Sequence, residues 1–331
     1  MKINLKKIKE TKYKDFINVM LFFAGLPLLI WVISVLTNYF FLGRERTIKE
    51  NIKIVKNLTE NVAMVHREIF HKKQGRYNPR VVEFNYYSER LKDYITINVY
   101  LPPGYILNQH TKSYPIVYYL HGAFDGEKDH WFTVDRKESK SAHAELSATE
   151  MIMKNDIKEV IMVALDEPGG YFTTVKKGRD FEKAFLNEIM PYIESTFNAS
   201  GERAITGLSS GGYYAIYFAV KYPKLFQHGG ATSGSFFLGS KSRSILTIMK
   251  KYRKNLDKLK GLYFDMGNND PGNSHSNLII YNYLIKNKIR SRLDFVEGGH
   301  SFQVWRGHPK RFLKFCFNAK PVTAKDSKQI N

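Results

Sequence analysis

One cysteine, Cys316 in the run RFLKFCF, stands in the whole chain of 331 residues. That excludes an internal disulfide and any metal site built on paired cysteines. It leaves the redox compartment open, because a lone thiol suits either environment. Cys316 itself reads as a buried packing residue on the last helix. HExxH, zinc-finger spacings, RNA-binding signatures and Arg-rich recognition helices are also missing. Neither a metal nor another cofactor is expected, and no nucleic-acid partner. There is no internal repeat and no low-complexity stretch. Acidic residues are scarce too: 31 against 51 Lys and Arg, a net charge of +20. The first 42 residues carry +4 of this and the remainder +16. Such a surplus favours anionic surroundings such as lipid headgroups or acidic cell-envelope polymers, or else marks a basic, soluble surface without a particular partner.

Charge is absent altogether from Val19 to Thr37, VMLFFAGLPLLIWVISVLT, and apolar character continues to Leu42. That length crosses about 30 Å of hydrocarbon. Pro27 is tolerated in a bilayer helix, and Trp31 and Tyr39 are ordinary for one. A cleaved signal peptide has a shorter apolar core followed by small residues. Here the run ends in NYFFLGRER, so an uncleaved single-pass anchor is expected over 16–42, behind a basic segment over 1–15; a buried core helix is the alternative. Six Lys precede the span, and Arg44, Arg46, Lys49, Lys53 and Lys56 follow it. This near balance leans only slightly toward a cytoplasmic N-terminus and an extracytoplasmic domain. Residues 43–79 read as a helical stalk, with Val55, Leu58, Val62, Val65 and Ile69 at spacings of 3, 4, 3 and 4. Two heptads are too few for a coiled coil.

From about Val81 strands alternate with helices. VVEFNYY and YITINVYLPP read as an antiparallel pair joined by the turn SERLKD. PIVYYLHG and VIMVALDEPGG are continuous apolar runs of the kind buried in a parallel sheet. Helical spacing follows in SAHAELSATEMIMKN and DFEKAFLNEIMPYIESTF. After these come the strand RAITG, the helix YYAIYFAVKY, the run QHGGATSG and a helix near 242–254. The chain closes with the strand GLYFDMG, the helix SNLIIYNYLIKN, the strand SRLDFVEGGH and a last helix through Cys316. This order implies an α/β fold, a mostly parallel sheet with helices on both faces, and a site at the carboxyl ends of the strands.

The residues behind each strand are therefore the ones to inspect. Gly207-Leu208-Ser209-Ser210-Gly211 fits G-x-S-x-G. A strand turning sharply into a helix projects the central hydroxyl, and the residues two before and two after must be small. Ser209 meets that demand; Ser210 does not, since Leu208 lies two before it. The bland alternative is a tight strand-to-helix turn. A serine nucleophile needs a base and the base an orienting acid, in the order Ser, Asp or Glu, His. His300 follows a strand in VEGGHSFQVW. His228 precedes its strand at the wrong end, and His275 and His308 read as helix-start or surface residues. Asp270, in the loop NNDPGN beyond the penultimate strand, is the preferred acid, and Asp265 within that strand is the reserve. Two backbone N–H groups must receive the developing oxyanion. Ser210 supplies one and Ala123, in the loop shaped by His121 and Gly122, the other. Trp131, Tyr171 and Phe172 are candidate pocket residues, though core packing would account for each as well.

LPPGY, YLHGAFDGEKDHW, NEIMPYIE, GLSSGGYYAIYFA, GNND and GGHSFQVW occur in the order seen in the esterase D-like branch of the α/β hydrolases, and residues 80–317 resemble that family. Its members include feruloyl and acetyl-xylan esterases, S-formylglutathione hydrolases, enterochelin esterases and mycolyltransferases. The resemblance implies an α/β-hydrolase catalytic domain over 80–318; the residues before it have no counterpart in the family core, and the polar end TAKDSKQIN reads as part of a flexible tail over 319–331. It also implies a Ser209–Asp270–His300 triad with Ala123 and Ser210 at the oxyanion hole. GLSSGG looks closer to the feruloyl and acetyl-xylan type, whereas LDEPGGYFTTV replaces the usual aspartate-glycine-rich loop. The function expected is a membrane-anchored serine esterase acting on an ester such as an acylated polysaccharide or lipid. An acyltransferase with the same triad and a sugar or lipid hydroxyl as acceptor is the second reading, and a non-catalytic tethered binding module the third.

Overall fold

The computed structural model describes residues 80–108, 111–122, 131–132, 141–166, 175–237 and 244–319. The basic segment 1–15, the apolar span 16–42, the stalk 43–79, the tail beyond 319, and Ala123, Tyr171 and Phe172 lie outside them. The chain divides into two compact units, Met1–Tyr77 and Asn78–Asn331, and every described residue belongs to the second. Among the described residues no helix is long and apolar enough to cross a membrane.

Strands β1 (Arg80–Ser88) and β2 (Asp93–Leu101) pair antiparallel from Ser88 opposite Asp93 to Arg80 opposite Leu101. Their turn closes on Lys92, whose left-handed φ of 56° lets its N–H donate to the Ser88 carbonyl at 2.9 Å. Then follow α1 (Tyr105–Asn108), β3 (Tyr114–Leu120), α2 (Ala144–Met153), β4 (Ile161–Asp166), α3 (Val175–Ala184), α4 (Met190–Thr196), β5 (Ala199–Gly207) and α5 (Ser210–Lys221). The second half runs through β6 (His228–Thr232), α6 (Ile245–Lys251), α7 (Arg253–Leu256), β7 (Gly261–Gly267), α8 (Pro271–Lys286), β8 (Ser291–Val296), α9 (Phe302–Trp305) and α10 (His308–Phe317). One sheet holds all eight strands in the order β1-β2-β4-β3-β5-β6-β7-β8. Only β2 runs against its neighbours; β4, β3, β5, β6, β7 and β8 are parallel.

The continuous apolar strands are buried because helices cover both faces. All seven residues of β3 and of β7 are buried. Val117 and Tyr119 face a core with Ala148 and Met151 of α2 and Phe312 and Leu313 of α10. Tyr118, pointing the other way, meets Phe185 and Phe226 edge-on, and Phe185 in turn meets Phe218 of α5. That alternation is what a strand buried on both sides requires.

Three helices differ from expectation, each for a local reason. The single helix expected through DFEKAFLNEIMPYIESTF is α3, a π-turn over Phe185–Ile189 and α4. Pro191 has no N–H for the carbonyl four back, and the wider turn before it takes up the misfit. The helix near 242–254 starts at the cap Ser244, whose Oγ accepts from Thr247 N–H at 3.2 Å, and breaks at Tyr252. The last helix splits in two, with Pro309 in the first turn of α10. Cys316 is on α10 as expected but half-buried against the core, where burial pushes its thiol well up.

Candidate active site

The carboxyl end of β5 runs into α5 through two residues, Leu208 and Ser209. Ser209 has φ 54° and ψ −117°, a conformation that costs a non-glycine residue on the order of 1–3 kcal/mol. The turn is held from three sides: Ser209 N–H donates to Thr232 O at 3.0 Å, and its carbonyl accepts from Tyr213 N–H at 3.2 Å and Ser235 N–H at 3.0 Å. The glycine spacing has a direct steric cause. A Cβ on Gly207 would lie 2.4 Å from the Gly211 carbonyl carbon, and one on Gly211 would lie 2.2 Å from His121 O. Ser210 opens α5, so its N–H has no acceptor within the helix.

Two loops deliver the partners of Ser209. Behind β7, Asp270 caps α8 at 3% exposure; behind β8, His300 stays exposed. The loops are stitched together, with Gly298 N–H donating to Asn268 Oδ1 at 3.1 Å and Asn269 N–H to Gly298 O at 2.9 Å. Asp270 Oδ2 lies 2.9 Å from His300 Nδ1, and His300 Nε2 lies 3.2 Å from Ser209 Oγ. With Nδ1–H donating to the carboxylate, Nε2 is left to accept the hydroxyl proton. The edge of the imidazole rests on Trp305, ring centres 5.1 Å apart.

Two further residues join this chain into a ring. Asn273 Nδ2 donates to Asp270 at 3.1 and 3.4 Å, occupying the carboxylate beside the imidazole. Ser235 Oγ donates to Asn273 Oδ1 at 3.1 Å and lies 3.3 Å from Ser209 Oγ. Sequence reasoning passed over both, although Ser235 lies three residues behind β6 and Asn273 six behind β7, and a place behind a strand end was the available signal.

The remaining candidates fall elsewhere. Asp265 is wholly buried and bonds His308 Nδ1 at 3.0 Å and Arg311 Nε at 2.9 Å. Burial works to raise its carboxyl, but the facing His308 and Arg311 outweigh that and hold it below the usual carboxylate range. His308 begins α10 as expected but is no surface residue: it is 0% exposed, and its Nε2 meets Thr206 Oγ1 at 2.7 Å. His228 opens β6 at 2% exposure, at the end of the sheet away from Ser209. Trp131 is 2% exposed, donates to Leu120 O at 3.1 Å and packs on Tyr119, so it is a core residue instead of a pocket wall. Among the described residues no cluster of His, Cys, Asp and Glu is arranged to hold a metal ion.

This architecture, with a serine elbow behind the fifth strand and an acid and a histidine behind the seventh and eighth, is that of an α/β hydrolase. Residues 88–308 match the model of the Esterase family, and the chain belongs to that family. Among curated proteins it is 28% identical over 167 residues to an endo-1,4-β-xylanase/feruloyl esterase of Xylanibacter ruminicola, spanning 48% of this chain and 22% of that protein. Two similar solved structures share the fold. A ferulic acid esterase of Anaeromyces mucronatus in complex with ferulic acid is 23% identical with TM-score 0.59, covering 74% of this chain and 93% of that one. The enterobactin esterase of Shigella flexneri is 20% identical with TM-score 0.57, covering 71% and 58%.

Proposed function

We propose that this chain is a membrane-anchored serine esterase. The observation that carries the reading is the hydrogen-bond chain from Ser209 through His300 to Asp270, at 3.2 and 2.9 Å, with Ser209 on its strained turn. His300 Nε2 takes the Ser209 proton as Oγ attacks the ester carbonyl carbon. The Ser210 N–H, and that of Ala123 outside the described residues, receive the negative oxygen of the tetrahedral intermediate. Asp270 steadies the imidazolium, which then gives its proton to the departing alcohol. A water, deprotonated by His300, attacks the acyl-enzyme; the acid leaves and Ser209 regains its proton. The ferulic acid esterases among the similar proteins make a hydroxycinnamate ester of a polysaccharide the first substrate to try, with acylated lipids next. Anchoring rests on the uncharged run Val19–Thr37, with the catalytic domain placed outside the cytoplasm.

Full-length protein in detergent, assayed on p-nitrophenyl esters of graded chain length and on feruloyl esters, tests the chemistry beside Ser209→Ala. Equal turnover by the two proteins ends the esterase reading. Acyl transfer to an added alcohol that outruns hydrolysis identifies an acyltransferase instead. A C-terminal reporter active only in the cytoplasm would sink the proposed orientation.

A further inference from the structure

The surplus charge of the folded unit is not spread over it. Residues 80–331 carry 36 Lys and Arg against 25 Asp and Glu. Nine of the basic residues, with Asp257 as the one acid, fall in 250–260 and 286–290; everywhere else in 80–331 the balance is 27 to 24. The two segments are neighbours in space. Arg253 Nε donates to Asn287 Oδ1 at 3.1 Å, and Arg290 donates to Lys260 O at 2.9 Å. All nine are exposed except Arg253, which is half-buried. Arg253 pairs with Asp257 at 2.8 Å and Lys260 approaches Glu202 at 3.5 Å; the other seven have no carboxylate within ion-pair distance among the described residues.

The patch has a definite place in the fold. Its segments lead into Gly261 and Ser291, the amino ends of β7 and β8, whereas Ser209, Asp270 and His300 follow the carboxyl ends. The seven residues of β7 put about 20 Å between the two ends. Strand β1, antiparallel to β2 as β2 is to β4, begins at that same amino end, with Arg80 opposite Leu101 and Tyr100 opposite Met162. Arg80 therefore stands at the same end of the sheet as the patch, on the opposite edge from β7 and β8.

We propose that the face formed by residues 250–260 and 286–290 rests on the anionic headgroups of a phospholipid bilayer, leaving the ester site at the far end. The proposal rests on the anchored reading given above. The chemistry of the patch matches a fluid headgroup layer. Seven of its nine cations are lysines, compact charges on flexible stems that gather phosphates without a fixed geometry. Exposed Ile285 sits beside Lys286, as an apolar side chain does at an interface. Nucleic acid fits less well. Arg253 is held by Asp257 and Asn287, and Arg290 has one nitrogen on Lys260 O and its plane on the Phe315 ring, so neither guanidinium is wholly free to fork a phosphate or base.

The test is amine-reactive labelling, read by mass spectrometry, of the full chain in nanodiscs of phosphatidylcholine alone or with phosphatidylglycerol added. Labelling of Lys254, Lys258, Lys286 and Lys288 is expected to slow about threefold or more in the anionic discs and to recover in high salt. Lys92, at the opposite end of the sheet, keeps its rate. With K254E, K258E, K286E and K288E combined, Lys250 and Lys251 lose their dependence on lipid charge while hydrolysis of a soluble ester is unchanged. Equal labelling in both discs, with the chain still co-eluting with them, overturns the proposal. Elution apart from both kinds of disc overturns the anchor reading alone; the patch is then judged by the same labelling with anionic vesicles added, where no slowing overturns it. Slowing caused by added polyuridylate, with none from anionic lipid, assigns the face to nucleic acid and overturns it as well.

Discussion

Among the described residues two hydroxyl–imidazole–carboxylate chains start three residues apart, one at Thr206 on β5 and one at Ser209 on the turn behind it, and only one is exposed. Ser209–His300–Asp270 stands at the rim of the sheet, with an exposed imidazole and a serine held at φ 54°. Thr206–His308–Asp265 lies beneath it with every member 0% exposed, and Arg311 adds a cation that claims the carboxylate. The distances are similar. The difference lies in access, backbone strain and the fixed counter-charge. A residue order that reads as reactive becomes a brace between β5, β7 and α10 once it is sealed and neutralised.

The comparison can be broken most sharply at the hydroxyls. Ser209→Ala is expected to lower kcat by about 10⁴-fold or more with little change in Tm, whereas a Thr206→Val protein that lost activity to the same degree would erase the distinction. Next comes the brace. Asp265→Ala leaves His308 and Arg311 without their carboxylate and is expected to cost about 3–5 kcal/mol in denaturant unfolding, while kcat of the folded fraction stays within about tenfold.

His228 gives a third case, sealed but without a carboxylate, and burial with nearby Arg290 and Lys260 pushes it down to about 4 from 6.5. Between those values the unfolded chain binds the proton and the folded one does not. Stability is therefore full above about pH 6.5 and falls by about 3 kcal/mol toward pH 4. Urea titrations across this range should show the loss, and His228→Leu should flatten it. Asp265 works in the window below. Its depressed carboxyl contributes stability that is present above about pH 4 and lost as pH falls through its folded value.

The smallest effects belong to the ring. Asn273→Ala removes a hydrogen bond to a charged carboxylate and should lower kcat about ten- to hundredfold; Ser235→Ala removes a neutral one, about fivefold. In stopped-flow assays both should act on kcat more than on KM, because they position Asp270 and Ser209 and are not expected to touch substrate.

How much of this was legible in advance differs from residue to residue. The strands were readable because β3 and β7 are buried on both faces and so need unbroken apolar runs. The π-turn before Pro191 and the break at Tyr252 escaped notice because helical periodicity reports a face and not the continuity of the helix. Trp131 reads as pocket wall or core alike, since an aromatic residue in a loop carries no mark of burial; its bond to Leu120 O and its contact with Tyr119 seat it in the core. Asn273 and Ser235 fit no motif, and only the fold brings the first turn of α8 and the loop behind β6 up to Asp270 and Ser209.

The amino-acid sequence by itself determined the strand–helix alternation and the elbow at Ser209, because both are local demands: apolar period in one case, and in the other the absence of a Cβ at Gly207 and Gly211. It also placed His300 and Asp270 behind their strands. Only the tertiary structure decided which hydroxyl–imidazole–carboxylate chain is sealed. That depends on α10 packing beneath β5 and β7, where Thr206 meets His308 across 102 residues of chain. Burial is a property of what else arrives at the same place, and no stretch of sequence carries it alone.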